Sequence, residues 1–132
     1  MCFHAQRAAR ALARRFDEAF RPLELTNWQF TLLVVLNRDE PPSMGRIAKA
    51  LAMDRTTLTA ALKPLERRGL VTVAADPEDK RSRLMTITAA GRALLSAAMP
   101  IWRRTQAAIE QQVASPDRLR AELRALSQGE QA

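Results

Sequence analysis

Two short helices joined by a tight turn are predicted by residues 43–70, which read SMGRIAKALAMDRTTLTAALKPLERRGL. Ser43 is placed to cap the first helix, and Asp54 is placed to cap a second helix that runs to Arg68 before Gly69 stops it. Only two residues separate the first helix from the second cap. Because so short a connection forces a steep crossing and leaves the second helix projecting, the pattern predicts a helix-turn-helix.

Two further helices are predicted before this motif. Apolar residues recur with helical spacing up to Pro22, which is expected to end an amphipathic helix. Thr26 and Gln29 form a capping box and predict the start of a helix over residues 27–38. Residues 32–36 could instead form a buried strand, but the cap signal and the length of the segment favour a helix.

A β-hairpin is predicted directly after the helix-turn-helix. Residues 70–74 and 84–88 both alternate apolar with polar side chains, as strands with one buried face do. The connecting residues 75–83 are too polar to bury, so we expect them to protrude as a wing.

The C-terminal part is predicted to be helical. Thr88 is placed to cap a long helix, which Pro100 should kink or interrupt, and Ser115 with Pro116 should begin a last helix. The sequence therefore predicts a mainly α fold with a small β-hairpin. We expect a single domain over residues 1–132, with a winged helix-turn-helix at 26–88.

The outward face of the predicted second helix of the motif carries residues that suit DNA. Its short hydroxyls, such as Thr56 and Thr59, would allow close approach to a groove, while Arg55 and Lys63 could meet phosphate or guanine. An ordinary solvated face is the alternative, but the preceding helix and the following charged hairpin favour a recognition helix. Pro64 predicts either a kink or an end near Lys63 with a restart, and base-reading residues precede it in both cases.

The wing is predicted to be the second DNA-contacting element. Its tip is narrow enough for Arg81 to reach a minor groove, where negative potential attracts arginine. The acidic residues of the loop offset Lys80, Arg81 and Arg83, and we expect Asp79 to brace an arginine through a charge-assisted hydrogen bond. A merely solvated hairpin is the alternative.

Composition narrows the class of protein. The formal net charge of +7 and the pI of about 11.1 favour a polyanionic partner, nucleic acid first and an anionic membrane surface second, although arginine richness also fits coding bias. One cysteine and one histidine rule out a disulfide framework and a Cys/His zinc cluster. No membrane span, secretion signal, catalytic constellation or cofactor motif is found in the sequence, so we expect a cytoplasmic protein that is not an enzyme.

Four segments of the chain together resemble the MarR family of transcriptional regulators. They are residues 53–59, 65–71, 79–83 and 86–91, which read MDRTTLT, LERRGLV, DKRSR and TITAAG. The wing pattern and the turn that follows it are the most specific part, and the resemblance covers nearly the whole chain.

The resemblance implies a homodimer on a palindromic operator. Residues 1–22 and 89–126 would form intertwined dimerisation helices, with recognition helices in successive major grooves and wings in flanking minor grooves. The predicted contacts to double-stranded DNA are Ser43, Asp54, Arg55, Thr56, Thr57, Thr59, Lys63, Lys80, Arg81 and Arg83, with Asp79 bracing the wing. We expect a repressor that a small aromatic ligand, bound between the dimerisation helices and the winged domain, releases from DNA.

Two alternatives remain open at the level of sequence. Cys2, just before the first helix, resembles the cysteine of the organic-peroxide-sensing branch, but the chain has no tyrosine to support it, and Phe30 stands where such a hydroxyl is expected. Cys2 could equally be an inert terminal thiol. The second alternative is a winged-helix module that binds an acidic protein instead of DNA.

Overall fold

The computed structural model of the chain describes residues 1–128. Its elements follow in the order α1 (Cys2–Phe20), α2 (Asn27–Leu36), α3 (Met44–Ala50), α4 (Arg55–Arg67), β1 (Val71–Ala75), β2 (Arg83–Ile87), α5 (Ala89–Glu110) and α6 (Pro116–Gln128), with a short 3-10 turn at Arg21–Leu23 after α1. The two strands form one antiparallel sheet. The predicted fold class, mainly α with a small hairpin, is therefore confirmed.

Side-chain caps fix where the helices begin. The hydroxyl of Thr26 accepts the backbone N–H of Gln29 at 3.2 Å, and the Gln29 side chain accepts the N–H of Thr26 at 3.0 Å, which completes the predicted capping box. The side chains of Ser43, Asp54 and Thr88 each accept the backbone N–H three residues later, without the reciprocal bond, and so cap α3, α4 and α5. Helix α2 ends at Leu36, two residues before the predicted end, and residues 32–36 are helical, so the strand alternative is wrong.

Two prolines lie inside continuous helices. Pro64 is part of α4 and Pro100 is part of α5. Of the alternatives predicted at each proline, the restart after Lys63 and the interruption at Pro100 are therefore wrong, and a kink stays a prediction. Each proline deprives the carbonyl four residues earlier of its helical donor, and Ala60 and Ser96, which carry those carbonyls, are exposed to water. Buried leucines on both sides of Pro64 hold α4 together, and at Pro100 the buried Leu95 and Ala98 precede the proline while the partly buried Ile101 and Trp102 follow it.

The core joins the helix-turn-helix to the helices that flank it. The largest of the almost completely buried side chains in residues 1–128 are Phe20, Leu32, Leu33, Leu36, Ile47, Leu58, Leu65, Val71 and Met85. A row of stacked aromatic rings connects α1, α2 and α5. The centroid of the Phe20 ring lies 6.0 Å from that of Phe16 and 4.7 Å from that of Phe30. The Phe30 ring in turn lies 6.5 Å, centroid to centroid, from Trp102. The ring contacts hold α1, α2 and α5 together, and the buried leucines of α4 belong to the same core.

Candidate nucleic-acid interface

The turn between α3 and α4 is held by backbone hydrogen bonds. The N–H of Met53 donates to the carbonyl of Ala48 at 2.8 Å, and Ala52 takes a left-handed conformation with φ 50° that reverses the chain. Leu58, Leu62 and Leu65 then bury one side of α4 in the core. The opposite side of the helix is left on the surface.

The exposed side of α4 carries the predicted contact residues. Arg55, Thr56, Thr57 and Lys63 are exposed, and Thr59 is half-buried. The hydroxyl of Thr59 donates to the carbonyl of Arg55 at 2.8 Å, and that of Thr57 donates to the Asp54 carboxylate at 2.9 Å. Because their protons are engaged, these two hydroxyls can offer only lone pairs to a DNA base, whereas no hydrogen bond within residues 1–128 engages the Thr56 hydroxyl.

Asp54 is the N-cap of α4. One carboxylate oxygen accepts the backbone N–H of Thr57 at 2.8 Å and the other accepts the Thr57 hydroxyl, which holds the pKa of Asp54 below its usual value. Both oxygens are thus engaged in starting the helix. A direct contact of Asp54 with DNA stays a prediction, and its structural role is to orient the first turn.

The base of the wing is attached to the segment before α3. The N–H of Met85 donates to the carbonyl of Pro42 at 3.2 Å, and Ser43 forms an isolated antiparallel bridge with Leu84. The Ser43 hydroxyl accepts the N–H of Arg46 at 3.3 Å. Ser43 therefore links α3 to the hairpin, and its predicted contact with DNA is not tested by this geometry.

The wing loop is ordered by its own aspartates. The carboxylate of Asp79 accepts the backbone N–H of Arg81 at 3.1 Å, and its carbonyl accepts the N–H of Ser82 at 2.9 Å. The sequence led us to expect a bond from Asp79 to an arginine side chain, and no such ion pair occurs within residues 1–128. A carboxylate two residues before an N–H folds back on it readily, so Asp79 braces the main chain and leaves the guanidinium in solvent.

The cations of this surface have no acidic partners in the described chain. The salt bridges found in residues 1–128 use Arg21, Arg118 and Arg120, all of them in or next to the terminal helices. By contrast, Arg55, Lys63, Lys80, Arg81 and Arg83 are all exposed. Their charge is available to an external anion.

Hydrogen bonds tie α4 to the elements around it. The guanidinium of Arg68 donates to the carbonyls of Glu24 at 2.6 Å and Leu23 at 3.2 Å, which joins the end of α4 to the turn after α1. The Thr88 hydroxyl donates to the carbonyl of Gly69 at 2.7 Å. No sequence pattern indicates this role of Arg68, because its partners are main-chain atoms more than 40 residues away.

A cleft of about 670 Å³ opens between α2 and α5. Its walls are mainly apolar and include Val34, Leu95, Met99 and Trp102. Arg92 lies among the lining residues and donates to the Asn37 side chain at 2.9 Å. The cleft is large enough for a small aromatic molecule and offers that molecule one cationic group.

Cys2 lies at the start of α1 and is exposed. Phe30, at the position where a supporting hydroxyl was expected, is instead buried in the stack of aromatic rings. Over residues 1–128, no cluster of three or more His, Cys, Asp or Glu side chains could hold a metal ion. No helix among these residues has the length and apolar character needed to cross a membrane.

Comparison with known proteins agrees with this architecture. A model of the MarR family matches residues 23–82. The Mycobacterium tuberculosis transcriptional regulator MosR, solved in complex with DNA, superposes with a TM-score of 0.91 at 38% identity, over 99% of this chain and 96% of that one. Its fold is therefore shared along nearly the whole length of both chains.

Curated relatives are also transcription regulators. The Bacillus subtilis organic hydroperoxide resistance transcriptional regulator is 30% identical over 76% of this chain and 69% of its own length. The Pseudomonas putida transcriptional repressor NicR is 36% identical over 58% of this chain, and the match spans 49% of NicR. From the family model, these relatives and the shared fold, we conclude that the chain belongs to the MarR family of winged-helix transcriptional regulators.

Proposed function

We propose that the protein is a sequence-specific DNA-binding repressor that acts in the cytoplasm as a homodimer on a palindromic operator. The observation that carries the proposal is that the predicted contact residues Arg55, Lys63, Lys80, Arg81 and Arg83 are all exposed cations, none of which has an acidic partner in residues 1–128. Such a surface neutralises phosphates and so supplies affinity for DNA.

Each element of the surface has a distinct part in the proposal. The first turns of α4 enter the major groove, where Arg55 can donate to guanine and the free hydroxyl of Thr56 can donate or accept. The wing carries Arg81 into the adjacent minor groove. Asp54 and Asp79 do not add affinity through charge; they fix the helix start and the loop that present these side chains.

The terminal helices support the proposal of a dimer. Helix α6 has no buried residue, and its apolar side chains Leu119, Leu123 and Leu126 are 39%, 50% and 59% exposed. They lie at positions i, i+4 and i+7 and so form one stripe. An apolar stripe of this kind is stable in water when a second copy of the chain covers it. Helix α1 likewise exposes the apolar side chains of Phe3 and Leu12.

The cleft between α2 and α5 is the proposed site of the signal. A small aromatic ligand would fill the apolar walls, and an acidic group on it would attract Arg92 away from Asn37. Thr88, the N-cap of α5, bonds to the carbonyls of Gly69 and Leu70 in the turn after α4, and it accepts the N–H of Arg92 one helical turn later. Because of this connection, a shift of Arg92 can change the spacing of the recognition helices. Calorimetric titration with benzoate and with phenol tests this part, and binding of neither would remove it.

Fluorescence anisotropy with a labelled duplex taken from beside the coding sequence tests DNA binding. We expect Arg55→Ala and Arg81→Ala each to weaken binding by roughly ten- to a hundredfold and to lower the salt slope by about one. The matched control is Arg21→Ala, because Arg21 is exposed in the 3-10 turn after α1 and already paired with Glu18. Unchanged affinity in both test variants would reject this interface, and binding to an acidic protein without DNA would favour an interaction module.

A further inference from the structure

A second, smaller cleft separates α4 from the β-hairpin. It measures about 300 Å³ and lies outside the cleft between α2 and α5. Thr59, Lys63 and Glu66 line it from α4, Arg83 lines it from β2, and Leu62 is among the apolar residues beneath them. A cation and a carboxylate of α4 thus line the same small cleft as a cation of β2.

The geometry of both elements explains why these side chains meet. Thr59, Lys63 and Glu66 are spaced at i, i+4 and i+7 and so form one stripe of α4. On the hairpin, alternate residues share a face, and Ile87 and Met85 are buried on the inner face. Arg83 is the next residue on that face, just beyond the core, and is exposed. It therefore projects beside α4.

The cleft offers donors that the protein itself does not use. No salt bridge in residues 1–128 engages Lys63 or Arg83, nor does one join Glu66 to either of them. Thr59 cannot donate to an anion here, because its hydroxyl proton is bound to the carbonyl of Arg55. An anion in the cleft would be held by the two cations and repelled by the carboxylate.

The path of a bound duplex identifies this anion. When α4 lies in a major groove and the wing in the neighbouring minor groove, the sugar-phosphate strand that divides the grooves has to pass between them. We infer that this cleft clamps one backbone phosphate in each half-site between Lys63 and Arg83, and that Glu66 weakens the clamp. The inference rests on the proposed DNA-binding function and adds a residue that limits affinity.

Replacement of single phosphates by neutral methylphosphonates tests the clamp. In anisotropy titrations of the full chain at low salt, we expect one position per half-site at which the replacement weakens wild-type binding by roughly tenfold. Lys63→Gln and Arg83→Gln should each weaken binding to the unmodified duplex, and each should lose sensitivity at that same position. Glu66→Gln should bind the unmodified duplex about threefold more tightly, with the gain fading as salt screens the carboxylate.

The control is Glu18→Gln, which removes an exposed carboxylate on α1 and should leave DNA affinity unchanged, and circular dichroism melting confirms that each variant is folded. If Lys63→Gln and Arg83→Gln lost sensitivity at different phosphates, or Glu66→Gln bound no more tightly, the clamp would be refuted while DNA binding stood. If the wild-type protein bound no duplex at all, the proposed function would fail and the clamp with it.

Discussion

Gly91 packs the start of α5 against the end of the turn that follows α4, and its replacement by alanine tests how tightly these elements are joined. A Cβ built at Gly91 would overlap the backbone carbonyl oxygen of Leu70 and lie 2.7 Å from Cγ1 of Ile87. The carbonyl cannot move freely, because it accepts the N–H of Thr88 at 3.0 Å. An added methyl group therefore has to push α5 away from the hairpin.

The magnitude follows from two opposing effects. Forcing a methyl group into a packed site costs about 1–3 kcal/mol, and here two neighbours, one of them backbone, must shift, which favours the upper end of that range. Alanine in a helix gains back up to about 1 kcal/mol relative to glycine. We expect Gly91→Ala to lower the free energy of unfolding by about 2 kcal/mol, or the melting temperature by roughly 5–10 °C for a chain of this size.

Gly45 provides the matched control, because it is also a helical glycine but has no atom within 4 Å of an added Cβ. Gly45→Ala should be neutral or stabilising by up to about 1 kcal/mol. Both variants are measured by thermal and urea unfolding at one protein concentration, since a dimer's stability depends on concentration. If Gly91→Ala were as stable as Gly45→Ala, the close contact between α5 and Leu70 would be wrong.

Three further predictions follow from contacts described above. Asp54→Asn should keep the cap but lose its charge. Because the folded-state pKa of Asp54 is lowered, its ionised form stabilises the fold above the ordinary pKa of 3.8, and that advantage disappears as pH falls. The difference in melting temperature between the two proteins should therefore shrink between pH 7 and pH 3, and a constant difference would contradict this prediction. Arg68→Ala should lower the free energy of unfolding in urea by about 1 kcal/mol and speed amide exchange in the turn after α1. Arg68→Lys should restore only part of this stability, because lysine lacks the two guanidinium NH2 groups that bond to the two carbonyls. Full restoration by lysine would count against the pair of bonds. Leu123→Asp should convert the dimer to monomers, as measured by the molar mass in light scattering, whereas Arg124→Asp at the neighbouring exposed position should shift the dimer equilibrium less. Equal masses for the wild type and both variants would argue against α6 as the interface.

Local signals predicted the parts of the fold that depend on neighbours in sequence. The capping box at Thr26 and the caps at Asp54 and Thr88 were readable because each cap joins residues three apart. The alternation in the hairpin gave its strands to within one residue. The continuity of α4 through Pro64 was not predictable in this way, because tertiary burial of Leu62 and Leu65 outweighs the lost hydrogen bond.

Parts of the candidate site depend on contacts that no local pattern shows. Arg68 reaches carbonyls 44 and 45 residues away, and Arg92 bonds to Asn37, 55 residues away. The meeting of Lys63 with Arg83 requires the hairpin to fold back along α4. The helix pattern and the family resemblance identified the two cations as DNA-binding candidates, but only the fold shows that they share a cleft with Glu66.

Discrimination between DNA sequences tests the central claim most directly. The affinity of the wild-type protein is measured by anisotropy for a palindromic duplex from beside its coding sequence and for a scrambled duplex of the same composition, over a series of salt concentrations. We expect the palindrome to bind two protomers at least about a thousandfold more tightly, with the logarithm of affinity falling linearly with the logarithm of salt concentration. Equal affinity for both duplexes, or no binding to either, would contradict a sequence-specific regulator.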